Sequence, residues 1–106
     1  CAYSGRHVAV LGDMLELGAY SEQAHFSCGE HAAQAGVDLL VTVGPAAAAI
    51  GVGARSVCPQ MACRHFETNR EAAEYLRQAL TAGDVVLVKG SRGMHMEEII
   101  SRLISL

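Results

Sequence analysis

The sequence has few aromatic residues and no long hydrophobic run. None of its 106 residues is Trp and aromatic residues make up 5% of the chain, although 51% of the residues are hydrophobic. The core must therefore be built from Ala, Val, Leu, Ile and Met, which is typical of helices packed closely on a sheet. The longest apolar stretch, around Val37 to Ile50, is interrupted by polar residues and Pro45, and a membrane span needs roughly 20 apolar residues. We therefore expect no membrane span.

Basic runs are missing as well. The chain has 8 Lys and Arg against 11 Asp and Glu, which gives a formal net charge of -3. No stretch combines cations with interleaved aromatic residues, the pattern that follows a nucleic-acid backbone, so we expect no nucleic-acid partner. The four cysteines form no dense framework, which favours reduced thiols in the cytoplasm.

The length of the chain fits one domain, residues 1–106, because typical domains run to about 100 to 150 residues. The amino terminus, Cys1–Gly5, has no initiator Met, basic region or apolar region of a signal peptide. We interpret it as a cut made inside a longer protein. The chain is then one domain of a longer protein.

Four apolar runs predict strands, and each is followed by a predicted helix. The strands are His7–Leu11, Leu39–Val43, Cys63–Phe66 and Val85–Val88, of which the last is the clearest buried strand. The helices run from about Ser21 to Ala35, from Ala46 to Ile50 with a break at Gly51–Gly53, from the capping box Thr68–Glu71 to before Gly83, and over Met96–Ile104.

This βαβαβαβα order predicts an α/β fold, because alternating strands and helices give a mostly parallel sheet with helices on both faces. We expect a Rossmann-like three-layer αβα sandwich. By analogy with doubly wound sheets, the expected strand order is 3-2-1-4. In the first helix, the small residues Ala24, Cys28, Ala32 and Ala35 predict a face that lies close to the sheet.

The segments after the first and fourth strands are the candidate site, because ligands of such sheets gather beyond the carboxyl ends of the strands where the order reverses. The second of these segments contains Lys89, Gly90, Ser91 and Arg92, which suit a carboxylate or phosphate. A capped, solvated turn is the alternative interpretation. For Asp13, in the first segment, the alternative is a capping role.

The same two segments carry a family resemblance. Together with residues between them, these segments resemble the third, C-terminal domain of the Mur ligase family. The matching residues are Ala9–Gly18, then Glu22, His25, Gly29, Ala32-Ala33, Gly36 and Val43-Gly44, and finally Val88–Met94 with Met96-Glu97. The resemblance extends from about Arg6 to Leu106. The pairing of the two motifs at this separation is far more specific than either motif alone.

The resemblance implies an ADP-forming peptide ligase of peptidoglycan synthesis. In the branch that it resembles, ATP phosphorylates UDP-N-acetylmuramoyl-tripeptide, and the amine of D-alanyl-D-alanine attacks the acyl phosphate. The family's central domain holds the phosphate loop and the magnesium ligands, and this chain contains no G-x-x-x-x-G-K-[ST]. ATP and magnesium are therefore expected mainly on that missing domain, and the isolated chain is expected to be inactive.

The resemblance also implies roles for individual residues. The third domain closes over the nucleotide, so Asp13, Glu16 and His25 are expected on the nucleotide and domain-closure side. Lys89, Gly90, Ser91 and Arg92 are expected to bind and orient the dipeptide. Neither a catalytic residue nor a metal ligand is expected in this chain.

Two other functions compete with this interpretation. His25, Cys28 and His31 suggest a zinc site, but residues six apart on a helix diverge too far to share one ion easily, and zinc usually takes a fourth ligand. A stand-alone Rossmann-like module, which binds nucleotides or a partner without catalysis, is the second rival. The turn after the first strand lacks the G-x-G-x-x-G of dinucleotide sites, which weakens the nucleotide-binding form of this rival.

Overall fold

A computed structural model describes residues 6–13, 21–81, 83–90 and 95–104. The strands are β1 (His7–Gly12), β2 (Leu39–Val43), β3 (Ala62–Phe66) and β4 (Val85–Lys89). The helices are α1 (Ser21–Gln34), α2 (Ala48–Val57), α3 (Asn69–Ala79) and α4 (Glu97–Ile104). The predicted alternation of strands and helices is confirmed.

The four strands form one parallel sheet in the order β3-β2-β1-β4. This is the order that the sequence predicted. The chain moves from β1 through β2 to β3 and then returns across the sheet to β4. The strand order therefore reverses between β1 and β4, which puts the candidate segments on the same rim.

Helices cover both faces of the sheet, which confirms the three-layer sandwich. Alternate strand residues point to opposite faces. On one face Val8, Val10 and Val41 pack with Leu76 of α3 and Ile99 of α4. On the other face the buried core consists of Ala9, Leu11, Leu40, Ala47, Ile50, Ala54 and Met61, with Cys28 and Ala33 of α1 packed against it.

The helix α2 is longer than predicted, because it continues through Gly51–Gly53 instead of breaking there. The reason is the packing of α2 on α1. A Cβ on Gly53 would collide with the carbonyl oxygen of Phe26, and a Cβ on Gly29 with that of Ile50. Glycine at these positions lets the two backbones touch, and that tertiary contact outweighs the low helix propensity of glycine.

The predicted inner face of α1 is wrong in part. Ala35 is exposed, whereas the buried positions of the helix are His25 and Gly29. The helix turns this side inward because Gly29 is its contact with α2. The predicted stop is confirmed, since Gly36 adopts a φ of +85° just beyond the helix.

Helix α3 begins as the sequence predicted. The Thr68 hydroxyl oxygen accepts a hydrogen bond of 3.2 Å from the backbone N–H of Glu71, and the same hydroxyl donates to the Glu71 carboxylate at 3.1 Å. This cap satisfies one of the unpaired amides of the first turn. The helix ends at Ala79, well before the predicted stop at Gly83.

The prediction that β4 is fully buried is wrong. This strand lies at an edge of the sheet, and its side chains alternate between exposed and half-buried. Val86 and Val88 pack on the core below α3 and α4, whereas Val85 and Leu87 are exposed on the other face. An apolar run therefore forms an edge strand here.

Candidate functional site

The carboxyl ends of β1 and β4 form the centre of the candidate site. Leu11 of β1 is paired with Lys89 of β4 in the parallel register. The next residues are Gly12 and Gly90, and a Cβ on Gly90 would lie 3.3 Å from the Cα of Gly12. Asp13 and Lys89 are thus brought to the same rim, as the sequence predicted.

Met96 closes the base of this rim just before α4. A Cβ on Gly12 would lie 2.6 Å from the Met96 sulfur, and a Cβ on Gly90 would lie 2.7 Å from its Cγ. Met96 is 5% exposed. Glycine at both positions therefore leaves room for the Met96 side chain, which packs between the two segments.

Asp13 is fixed inside the rim. Its side chain is buried, and Oδ1 accepts a 2.6 Å hydrogen bond from the backbone N–H of Ala47, just ahead of α2. Gly44 has a φ of +105°, and a Cβ there would lie 2.6 Å from the carboxylate carbon of Asp13. The carboxylate thus occupies a cradle formed by the turn between β2 and α2.

Lys89 remains exposed at the end of β4, on the side of the sheet that carries α1. Burial raises the pKa of the Cys28 thiol of α1 above its usual value, and the ammonium of Lys89 opposes part of that rise. The cation therefore lies within electrostatic reach of the middle of α1. This proximity could not be predicted from the sequence, because the two residues are far apart along the chain.

The other predicted site residues differ in position. His25 is fully buried in α1, so it can support a ligand only through its neighbours. Glu16, Ser91 and Arg92 lie outside the described residues. Gly90 is exposed next to Lys89, where a backbone amide beside a cation suits a carboxylate or phosphate.

The zinc hypothesis finds no support in the geometry. His25 is buried whereas His31, on the same helix, is exposed. Within residues 6–13, 21–81, 83–90 and 95–104, no group of three or more His, Cys, Asp or Glu side chains is arranged to hold a metal ion. Over the same ranges, no helix combines the length and the apolar character that a membrane crossing requires.

A second hydrogen-bonded group lies at the opposite edge of the sheet. The Nδ1 atom of His65 is 2.8 Å from the hydroxyl of Thr42, and its Nε2 is 2.7 Å from the carboxylate of Glu67. Both ring nitrogens of His65 are thereby engaged. His65 is therefore a hydrogen-bonded residue of an edge strand.

Comparison with known proteins gives a family match over most of the chain. The family model described as Mur ligase, glutamate ligase domain, matches residues 1–92. The chain is 35% identical, over 100 residues, to the UDP-N-acetylmuramoyl-tripeptide–D-alanyl-D-alanine ligase of Bacillus subtilis (strain 168), which covers 94% of this chain and 22% of that protein.

Solved structures give the same result for the fold. The chain superposes on a crystal structure of MurF from Acinetobacter baumannii with a TM-score of 0.82 and 33% identity, which covers 96% of this chain and 23% of that one. For the MurF ligase of Thermotoga maritima in complex with ADP, the TM-score is 0.72 at 25% identity, with 95% and 22% covered. The chain thus spans about a fifth of the length of these relatives.

Proposed function

The chain belongs to the Mur ligase family, and from this premise we propose that it is the C-terminal domain of a ligase that adds D-alanyl-D-alanine to UDP-N-acetylmuramoyl-tripeptide. The observation that carries the proposal is the rim at which Lys89 and Gly90 meet Gly12 and Asp13. The Bacillus subtilis relative is named for this reaction. The Thermotoga maritima relative holds ADP, which supports ATP as the phosphoryl donor.

The proposed reaction joins two substrates through an acyl phosphate. The terminal carboxylate of the tripeptide takes the γ-phosphoryl group of ATP, which releases ADP. The dipeptide amine then attacks the acyl carbon, phosphate leaves, and the amine loses a proton as the new peptide bond forms. The acyl phosphate is open to hydrolysis, so a domain that closes over it both excludes water and holds the amine in contact geometry.

In this scheme, the residues of this chain bind and orient the dipeptide and shape the site. Lys89, Ser91 and Arg92 bind the carboxylate of the dipeptide, and Gly90 lets the backbone approach it. Asp13, Glu16 and His25 shape the side that faces the nucleotide. ATP and magnesium are held mainly by the central domain of the full-length enzyme, which is also the surface against which this domain closes.

The exposure of Lys89 suits a role in binding the dipeptide, and the fixed position of Asp13 suits a role in shaping the site. A solvent-accessible cation beside a glycine amide can take up a small anionic substrate. A buried carboxylate that accepts a backbone hydrogen bond keeps the neighbouring turn in one conformation. The UDP-linked tripeptide and the dipeptide are both water-soluble, which favours the cytoplasm as the place where the enzyme works.

Product analysis of the full-length protein tests this proposal. With ATP, magnesium and UDP-N-acetylmuramoyl-tripeptide, we expect ADP release and a pentapeptide product when D-alanyl-D-alanine is supplied. Because the family model is described as a glutamate ligase domain, D-glutamate with UDP-N-acetylmuramoyl-alanine is the matched comparison. Turnover with D-glutamate and none with the dipeptide would overturn the substrate assignment, and the absence of ADP release with both would overturn the ligase.

A further inference from the structure

A side chain at the start of α3 contacts the residue that leads into α4. Asn69, the first residue of α3, donates from Nδ2 a hydrogen bond of 3.2 Å to the backbone carbonyl of His95. Helix α4 begins two residues later, at Glu97. Both helices follow the carboxyl ends of their strands. This hydrogen bond, between residues 26 positions apart, therefore lies on the same rim as the candidate site.

The backbone of His95 has an uncommon conformation. Among the described residues, His95 alone combines a side chain with a positive φ, which is +52°. The left-handed region is unfavourable for residues other than glycine. The side chain does not account for it, since it is 75% exposed and the carboxylate of Glu97, 3.7 Å away, is exposed as well. Contacts of the main chain must therefore hold this conformation.

Two donors hold the carbonyl of His95. The backbone N–H of Glu98 donates to it at 2.9 Å and forms the first turn of α4, and Nδ2 of Asn69 donates at 3.2 Å. A carbonyl oxygen has two lone pairs, so the two donors together fix the direction of this peptide group. They thereby set the direction in which the chain continues to Met96. Of the two, the bond from Asn69 ties the peptide group to another helix.

Met96 transmits this position to the candidate site. Its side chain lies so close to Gly12 and Gly90 that a Cβ on either residue would collide with it. On its other side it packs in the same core cluster as Ala72 and Leu76 of α3. Because protein interiors are close-packed, a shift of the Met96 backbone would move the two glycines or open a gap beside α3.

We propose that Asn69 is a positioning residue of the dipeptide site, which acts through His95 and Met96 and touches no substrate itself. The proposal rests on the proposed function, in which Lys89 and Gly90 take part in binding the dipeptide. The hydrogen bond from Asn69 keeps His95 in its left-handed conformation and Met96 against the glycines. The end of β4 then stays in the geometry that the dipeptide carboxylate requires.

Asn69→Asp separates this role from the stability of α3. The two side chains have nearly the same shape, but an ionised carboxylate has no donor for the carbonyl of His95. A negative charge in the first turn of a helix is favourable, so we expect the midpoint of thermal unfolding of the full-length protein to change by less than about 3 °C. We expect KM for D-alanyl-D-alanine to rise by about fivefold or more, and KM for ATP to change by less than about twofold.

Gln78→Ala is the matched control, because it removes an exposed amide side chain near the other end of α3. We expect both KM values of this variant to stay within about twofold of those of the unmodified protein. An unchanged KM for the dipeptide in Asn69→Asp would overturn the proposal. An equal rise in the two KM values of Asn69→Asp would also overturn it, since it would show a general loss of structure.

The conformation of His95 allows a rescue experiment. Glycine adopts a positive φ without steric cost, so a glycine at position 95 needs less support from Asn69. When His95→Gly is added to Asn69→Asp, we expect KM for the dipeptide to return to within about twofold of the value of the unmodified protein. A role of Asn69 in the stability of α3 alone predicts no recovery. A double variant with the KM of Asn69→Asp would overturn the step through His95.

The methyl resonance of Met96 gives a readout that does not depend on catalysis. In the full-length protein with isotopically labelled methionine methyl groups, we expect Asn69→Asp to shift the Met96 signal and Gln78→Ala to leave it in place. Met96→Leu assigns the signal. An unmoved signal in Asn69→Asp would overturn the proposal. Failure of the proposed function is a separate result, namely no turnover of the dipeptide by the unmodified protein, and the Met96 signal would still decide whether Asn69 positions the rim.

Discussion

The carboxylate of Asp13 accepts a 2.6 Å hydrogen bond from the backbone N–H of Ala47. This contact joins the end of β1 to the turn before α2, across 34 positions of the chain. Asp13 is only 3% exposed, so its side chain stabilises the turn before α2 from inside the fold. A ligand at the rim would therefore meet a turn whose conformation is already set, which is the property that a positioning site requires.

Substitution of Asp13 separates its hydrogen bond from its charge. Asp13→Ala leaves the N–H of Ala47 without an acceptor and is expected to lower the free energy of unfolding by about 1–3 kcal/mol. Asp13→Asn keeps a carbonyl acceptor and is expected to cost less than about 1 kcal/mol. Urea unfolding of the two variants measures this, and equal losses would show that the hydrogen bond is not what stabilises the turn.

Two glycines of α2 are expected to respond in opposite directions to Ala. Gly53→Ala forces a Cβ against the carbonyl of Phe26 and is expected to cost about 2 kcal/mol or more, as overpacking does. Around Gly51 a Cβ would meet nothing within 4 Å, so Gly51→Ala is expected to stabilise by about 0.5–1 kcal/mol. Thermal unfolding compares the two, and a neutral Gly53→Ala would refute the close helix contact.

Asp84 gives the fold a defined acid dependence. The hydrogen bond from Arg6, followed by that from the backbone N–H of Thr81, lowers the pKa of Asp84 to about 2. In the unfolded chain the pKa of Asp is about 4. Since the pKa of Asp84 is lower in the folded chain than in the unfolded chain, ionised Asp84 stabilises the fold. This stabilisation is complete above a pH of about 4 and is lost as the pH falls toward 2.

The difference in stability between the natural protein and Asp84→Asn, measured by urea unfolding from pH 7 to pH 2, is the check on this dependence. We expect the difference to be constant above pH of about 5 and to shrink below pH of about 4. Glu74→Gln, which removes an exposed acid of α3, is the control. A difference for Asp84→Asn that stays constant down to pH 2 would rule out the Arg6 pairing as its source.

The fold was predictable because its signals are local and periodic. The apolar runs at His7–Leu11 and Leu39–Val43 end at glycines, and the Thr68–Glu71 capping box marks a helix start. Alternation of strands and helices, together with right-handed crossovers, leaves few possible sheet orders. The position of the candidate site could be predicted from that strand order, because the order puts the carboxyl ends of β1 and β4 side by side.

The remaining features depend on contacts between distant residues. A glycine in a helix is locally unfavourable, so the sequence around Gly53 predicts a break, whereas the contact of Gly53 with Phe26 favours a continuous helix. The run Val85–Val88 is as apolar as a buried strand, and only the position of β4 at the sheet edge shows that Leu87 is exposed. Likewise, Asp13 carries no sequence signal for its partner Ala47.

Arg92 is predicted to act on the dipeptide and not on the nucleotide. In the full-length enzyme, Arg92→Ala is expected to raise KM for D-alanyl-D-alanine by about tenfold or more, because a charge-assisted hydrogen bond contributes about 1.5–3 kcal/mol. KM for ATP is expected to change less than KM for the dipeptide. Steady-state kinetics with each substrate varied in turn are the measurement, and unchanged values for both would remove Arg92 from the site.

The rim as a dipeptide-binding surface is tested most directly by comparing two exposed cations at opposite ends of the fold. Lys89 lies at the carboxyl ends of the strands, and Arg55 lies in the last turn of α2, which leads to the amino end of β3. In the full-length enzyme we predict that Lys89→Met raises KM for D-alanyl-D-alanine by about tenfold, while Arg55→Met changes it less than about twofold. Equal KM values for the two variants would contradict the account.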